Sequence, residues 1–142
     1  MTEHSHYGPL ISGANEEGMS LFRIHDGGGR NAFDIGGVCS CGLGVGLEVK
    51  VSKLPFSPGS GIQWSAFQFQ QVIWLKQYAL CNAISLVATY YETISAMRIV
   101  KLISAADFEP GWRPPDAQMF WLPKVDGKYR RLIHVCNHEN SH

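Results

Sequence analysis

The chain has 142 residues, 45% hydrophobic and 17% charged, which fits one globular domain with its own core and excludes a disordered or low-complexity chain. Its 12 basic residues balance 12 acidic ones, so any affinity for a polyanion must come from local patches or a bound metal rather than from overall charge. The apolar runs are short and broken and the four cysteines are too few for a disulfide framework, so a reduced, cytoplasmic protein with no membrane span or signal peptide is expected.

Residues 1–18, which include His4, His6, Gly8, Pro9 and Gly13, read as a loosely packed arm ending in a short helical turn at 12–17. Residues 19–25 read as a first strand and 26–31 as a glycine-rich loop. That loop lacks the Gly-Lys-Ser/Thr ending of a P-loop, so no nucleotide cofactor is expected.

The next stretch organises the chain. Residues 35–39 and 43–51 are apolar and β-branched and are separated by Ser40, Cys41 and Gly42, the pattern of a β-hairpin. A three-residue loop centred on Cys41, with Gly42 at positive φ, sets Asp34 opposite Glu48. Lys50 then shares the face of Glu48, while Leu47, Val49 and Val51 point the other way into a core.

Directly opposed carboxylates repel and raise one another's pKa, an arrangement from which a purely structural strand gains little. A divalent cation removes the conflict, because Mg²⁺ takes one or two carboxylates and keeps places for water and phosphate oxygens. A lysine two residues along is placed to orient or activate an attacking water, or to stabilise a phosphorane-like transition state. The same three residues also describe the solvated face of an ordinary amphipathic strand.

Residues 52–64 are rich in proline and glycine and read as a loop. Ser65 is placed to cap a helix reaching about residue 81, with Val72, Leu75, Tyr78 and Ala79 as its core stripe. An apolar run at 84–91 reads as a central strand buried on both faces, and 99–103 as another. Ser104 begins a short helix to residue 108, and segments 118–122 and 129–135 flank a hairpin turn at Asp126 and Gly127. Lys124, Lys128, Arg130 and Arg131 cluster there with Trp121 and Tyr129, a mixture that suits a nucleic-acid backbone or a charged edge hairpin. A zinc site from Cys39, Cys41, His134, Cys136 and His138 has poor ligand spacing.

Three stretches carry a resemblance: Phe33-Asp-Ile-Gly-Gly-Val, Leu47-Glu-Val-Lys, and Gln70-Gln-Val-Ile-Trp-Leu-Lys-Gln followed by the strand from Ala83. In that order they are similar to the PD-(D/E)xK nucleases of the restriction-endonuclease-like superfamily, and within it to bacterial and phage Holliday-junction resolvases. The similarity covers residues 19–108, with a fainter match at 99–108. It implies an α/β domain over 19–135, a mixed central β-sheet flanked by helices, followed by a polar tail at 136–142. It also implies a Mg²⁺- or Mn²⁺-dependent DNA endonuclease of recombination or repair, acting as a homodimer in a bacterial or phage-infected cell.

In this family pattern Asp34 and Glu48 hold the metal with the Val49 carbonyl, and Lys50 activates water. A glutamine supports the lysine: Gln71 by the count back from the following strand, with Gln70 second. An early-helix glutamate, Glu17 or Glu16, joins the metal set. Phosphate contacts are expected from Arg23, Arg30, Lys53, Lys128, Arg130 and Arg131. The long stalk that such resolvases insert into four-way DNA is replaced here by the short loop at 26–31. A non-catalytic DNA-binding or phage structural module on the same fold is the alternative, and a small-molecule or protein-binding domain is a third.

Overall fold

Alternating burial through residues 84–102 builds the middle of the sheet: Leu86, Ala88, Met97 and Ile99 face one side and Val87, Val100 and Leu102 the other. The structure, a computed structural model, describes residues 2–24, 33–57 and 60–137. Six strands form one mixed sheet in chain order: β1 (Ser20–Arg23), β2 (Ile35–Val38), β3 (Gly44–Ser52), β4 (Ile84–Tyr91), β5 (Ala96–Leu102) and β6 (Met119–Leu122). Among these described strands only β3 and β4 run parallel. Parallel neighbours need a crossover, and the connection between them carries an α-helix, Phe69–Leu80.

Helices cover both faces. Helix α1 (Tyr7–Glu16) packs Tyr7, Leu10 and Ala14 on the face that carries Leu47 and Val49. The crossover helix, α2, packs Leu75, Tyr78 and Ala79 against Val87 and Val100 on the other. A short C-terminal helix, α3 (Leu132–Asn137), joins the α1 side through Leu132 and Val135. Two polar tethers fix these layers. The Asn15 side chain pairs with both backbone groups of Leu21, at 2.7 and 3.0 Å, and Ser85 Oγ donates to the Leu75 carbonyl at 2.8 Å. Among the described residues no helix is long and apolar enough to cross a membrane.

Several expectations change. Residues 3–16 are not a loose arm: a 3₁₀ turn (Glu3–His6) leads into α1, and His6 is buried with Nδ1 2.8 Å from the Tyr129 hydroxyl. Gly8 and Pro9 misled because Pro is tolerated in a first helical turn. Helix α2 starts later than Ser65. Its N-cap is Gln68, in a reciprocal capping box with Gln71, while residues 64–66 form a separate 3₁₀ turn. The turn at Asp126 and Gly127 is present, both at positive φ, but its strands β7 (Lys124–Val125) and β8 (Lys128–Tyr129) are two residues each. Residues 132–137 are helical, not strand, because Leu132, Val135 and Cys136 bury at helical spacing. The glycine loop at 27–29, Arg30 and His138 lie outside the described residues.

Candidate functional site

The hairpin has the register its turn chemistry demands. Ile35 pairs with Leu47 and Val38 with Gly44, and the Gly42 N–H donates to the Cys39 carbonyl at 2.9 Å with Gly42 at φ +91°. Continued one residue, that register sets Asp34 opposite Glu48. Asp34 sits just before β2, where the ladder ends, and its Oδ2 accepts the Val49 N–H at 2.8 Å.

Glu48 is completely buried, and neither carboxylate oxygen has a hydrogen-bond partner. Burial, followed by the Asp34 charge, pushes its pKa up to about 9. An unpaired buried acid stays neutral rather than bear the cost of an isolated charge. On the same face Lys50 is half-buried; its Nζ donates to the Ala66 carbonyl at 3.2 Å and to Gln71 Oε1 at 3.5 Å, and lies 4.6 Å from the Phe67 ring centroid. The Gln71 oxygen also accepts the Gln68 N–H at 3.0 Å, so the helix cap and the lysine share one amide. Gln71 is buried and Gln70 exposed, and Gln71 is therefore the glutamine in contact.

The N-terminal segment supplies two further residues. Glu3 is half-buried; desolvation raises its pKa, with the charges of Lys50 and Asp34 acting on it in opposite directions. Tyr7 is buried, and burial together with the Asp34 carboxylate beside it raises its hydroxyl pKa well above the ordinary value. Neither was expected. The signal was the helical spacing of Tyr7, Leu10 and Ala14, masked by Pro9 and the glycines around it.

Glu17 and Glu16 do not join this group. Glu17 follows the far end of α1, about 15 Å along the axis from Tyr7, and accepts the Arg131 N–H at 2.9 Å. Glu16 pairs with Lys128 and, at 2.9 Å, with Arg130. The predicted basic cluster at 128–131 is thus engaged with the end of α1 and lies apart from Asp34 and Glu48. Arg23 is near them: it stacks over Tyr7, 5.0 Å from the ring centroid, and meets His4 Nδ1 at 3.0 Å. Lys53 lines a cavity that begins at Lys50.

Among the described residues no group of three or more His, Cys, Asp or Glu has the arrangement to hold a metal. Two carboxylates suffice for Mg²⁺, which usually keeps several waters, and the two buried Glu48 oxygens without a hydrogen-bond partner would suit such a cation. None of the four cysteines is in a disulfide; Cys39 and Cys136 are buried in the same core cluster, and His134 is exposed, which argues against the zinc site. No protein-family model matches the chain, and no curated protein matches it significantly.

Proposed function

We infer that the protein is a divalent-metal-dependent DNA endonuclease with a restriction-endonuclease-like PD-(D/E)xK core, of the Holliday-junction resolvase type or a related structure-specific nuclease. One observation carries this reading: Glu48 is fully buried with both oxygens unpartnered, opposite Asp34, with Lys50 two residues along. A purely structural strand would bear the desolvation of that acid for no return.

Asp34, Glu48 and the Val49 carbonyl would hold Mg²⁺ or Mn²⁺, and Glu3 replaces Glu17 as the acid from the N-terminal segment nearest the site. Bound there, the cation would supply Lewis-acid stabilisation of a phosphate and a more acidic water. The chain's own residues do the rest. Glu48 must lose its proton before it can serve as a ligand. Lys50 is held by Ala66 and Gln71, and its ammonium orients the attacking water or stabilises charge on the phosphate. Gln71 fixes the lysine while closing the first turn of α2. Arg23 and Lys53 flank the site and are placed to contact the backbone. As in the resolvases it resembles, paired cuts in DNA would need two copies of the chain, and a cytoplasmic bacterial or phage setting follows from the same likeness.

The test is cleavage of labelled four-way junction, flap, duplex and single-stranded DNA by the unaltered protein and by Glu48→Gln, with Mg²⁺, Mn²⁺ or chelator. Metal-dependent cuts that vanish in the variant are expected, and symmetric nicks in the junction would single out a resolvase. Folded protein that binds DNA and never cuts would overturn the nuclease in favour of a non-catalytic binding module.

A further inference from the structure

Beside Lys50 the α2-side face of the sheet opens into a cavity of about 340 Å³. Lys50, Ser52 and Lys53 line one side, and residues 60–63 of the loop after β3 line the other. This volume lies at the small end of ligand pockets, which suits a single ring system better than a peptide or an intact duplex. Leu54, Pro55, Ile62 and Tyr91 make flat or apolar walls, Gln63 and Thr89 carry donors and acceptors, and the Glu3 carboxyl lines the end nearest Lys50.

The outer wall is held in place by a buried cation. Arg98 is 1% exposed and donates to the Ser60 carbonyl at 2.9 Å; it lies 5.7 Å from the Phe56 ring centroid and 5.2 Å from that of Tyr91. Among the described residues no carboxylate pairs with it. Burying a guanidinium to grip a loop carbonyl carries a desolvation cost that an apolar residue would avoid, so the position of this loop is specified. Phe56 packs edge-on against Tyr91 and Trp121, and a Cβ on Gly61 would meet the Trp112 carbonyl at 2.7 Å.

We propose that this cavity takes one nucleobase of the DNA strand presented to Lys50, turned out of its stack. The apolar walls cover the faces of the base, Gln63 meets its edge, and Lys50 and Lys53 lie beside its phosphates. The proposal rests on the reading of DNA as the substrate and narrows it: the preferred DNA has an unpaired nucleotide next to the contacted phosphate, because extruding a paired base costs unpairing energy that an unpaired base does not. It also suits a chain without net positive charge, since base stacking adds affinity that few phosphate contacts supply.

The experiment uses the Glu48→Gln chain, to keep DNA uncut, with a duplex carrying 2-aminopurine either fully paired or opposite a one-nucleotide gap. A saturable fluorescence change and about tenfold tighter binding are expected for the gapped DNA only. Adding Gln63→Trp, which fills the cavity from an exposed position, should erase that preference. Leu54→Asp, at a second exposed wall position, should act in the same direction. Equal binding of the two DNAs, or an undiminished preference in both wall variants, overturns the proposal. Cleavage of the same DNAs by the unaltered chain separates the two readings. Metal-dependent cutting without base capture leaves the nuclease and removes the cavity's role, whereas base capture without cutting does the reverse.

Discussion

Glu48 is where folding and chemistry oppose one another. In the folded protein burial and then the Asp34 charge push its carboxyl up to about 9, from an ordinary value of 4.5. Between those values the unfolded chain holds fewer protons, so the contribution of this group to stability is complete below about pH 4.5 and is lost as pH rises through 9, at up to ~1.4 kcal/mol per unit. His6 acts in the opposite sense. Burial lowers its pKa below 6.5, so its contribution is lost on acidification below that value. Urea unfolding without metal should therefore show stability declining between pH 6.5 and 9, with a flatter profile in Glu48→Gln. Mg²⁺ binding near pH 7 should release about one proton, visible as buffer-dependent calorimetric heat. Lys50→Ala should abolish cleavage without unfolding the protein. Gln71→Ala should lower the cleavage rate about tenfold, as expected for ~1.4 kcal/mol of lost positioning, and should cost ~1 kcal/mol of stability through the α2 cap, measured by thermal melting.

Among the elements, α1 is the one whose docking brings the N-terminal acid to the hairpin. Its closest approach is at Gly13, where a Cβ would come within 1.8 Å of the Tyr129 carbonyl. Gly13→Ala must push α1 away from β8 and should destabilise the protein by about 1–3 kcal/mol in denaturant titration. Because Tyr7 on the same helix lies beside Asp34, metal affinity should fall with it. The hairpin is sensitive at Gly46, where a Cβ would meet the buried Phe33 ring at 2.3 Å. Ring and hairpin pack as one unit because the position facing Phe33 has no side chain.

At the scale of the molecule, charge is arranged more sparingly than its inventory suggests. Glu16 pairs with both Lys128 and Arg130, which leaves Arg23, Lys50 and Lys53, among the described residues, as the cations placed around the site. DNA binding should then show a log–log salt slope of about −3, from three phosphate contacts at ~0.9 each. Lys53→Ala should reduce that slope by about 1, and Lys128→Ala should leave it unchanged. A slope reduced equally by both would place the 128–131 cluster back at the interface.

What the sequence determined by itself was local. Alternating apolar residues around a three-residue turn with Gly42 specified the hairpin and its register, and with it the opposition of Asp34 and Glu48, because side-chain period and turn geometry act within a few residues. The limits of β4 were legible for the same reason, as a continuous apolar run, whereas Gln71 was singled out through the family resemblance by a count back from that strand, and the cap at Gln68 that puts it in the first turn of α2 is a finding of the structure. Tertiary structure decided the rest. Glu3 and Tyr7 reach the site, and Glu17 does not, because α1 packs along the sheet with its N-terminus toward Asp34. Glu16 ties two of the expected basic residues to the end of α1 across a long stretch of chain, and Arg98 shapes the cavity wall from beneath. These pairings join residues far apart in sequence, and they are chosen by which buried faces fit together rather than by any local pattern.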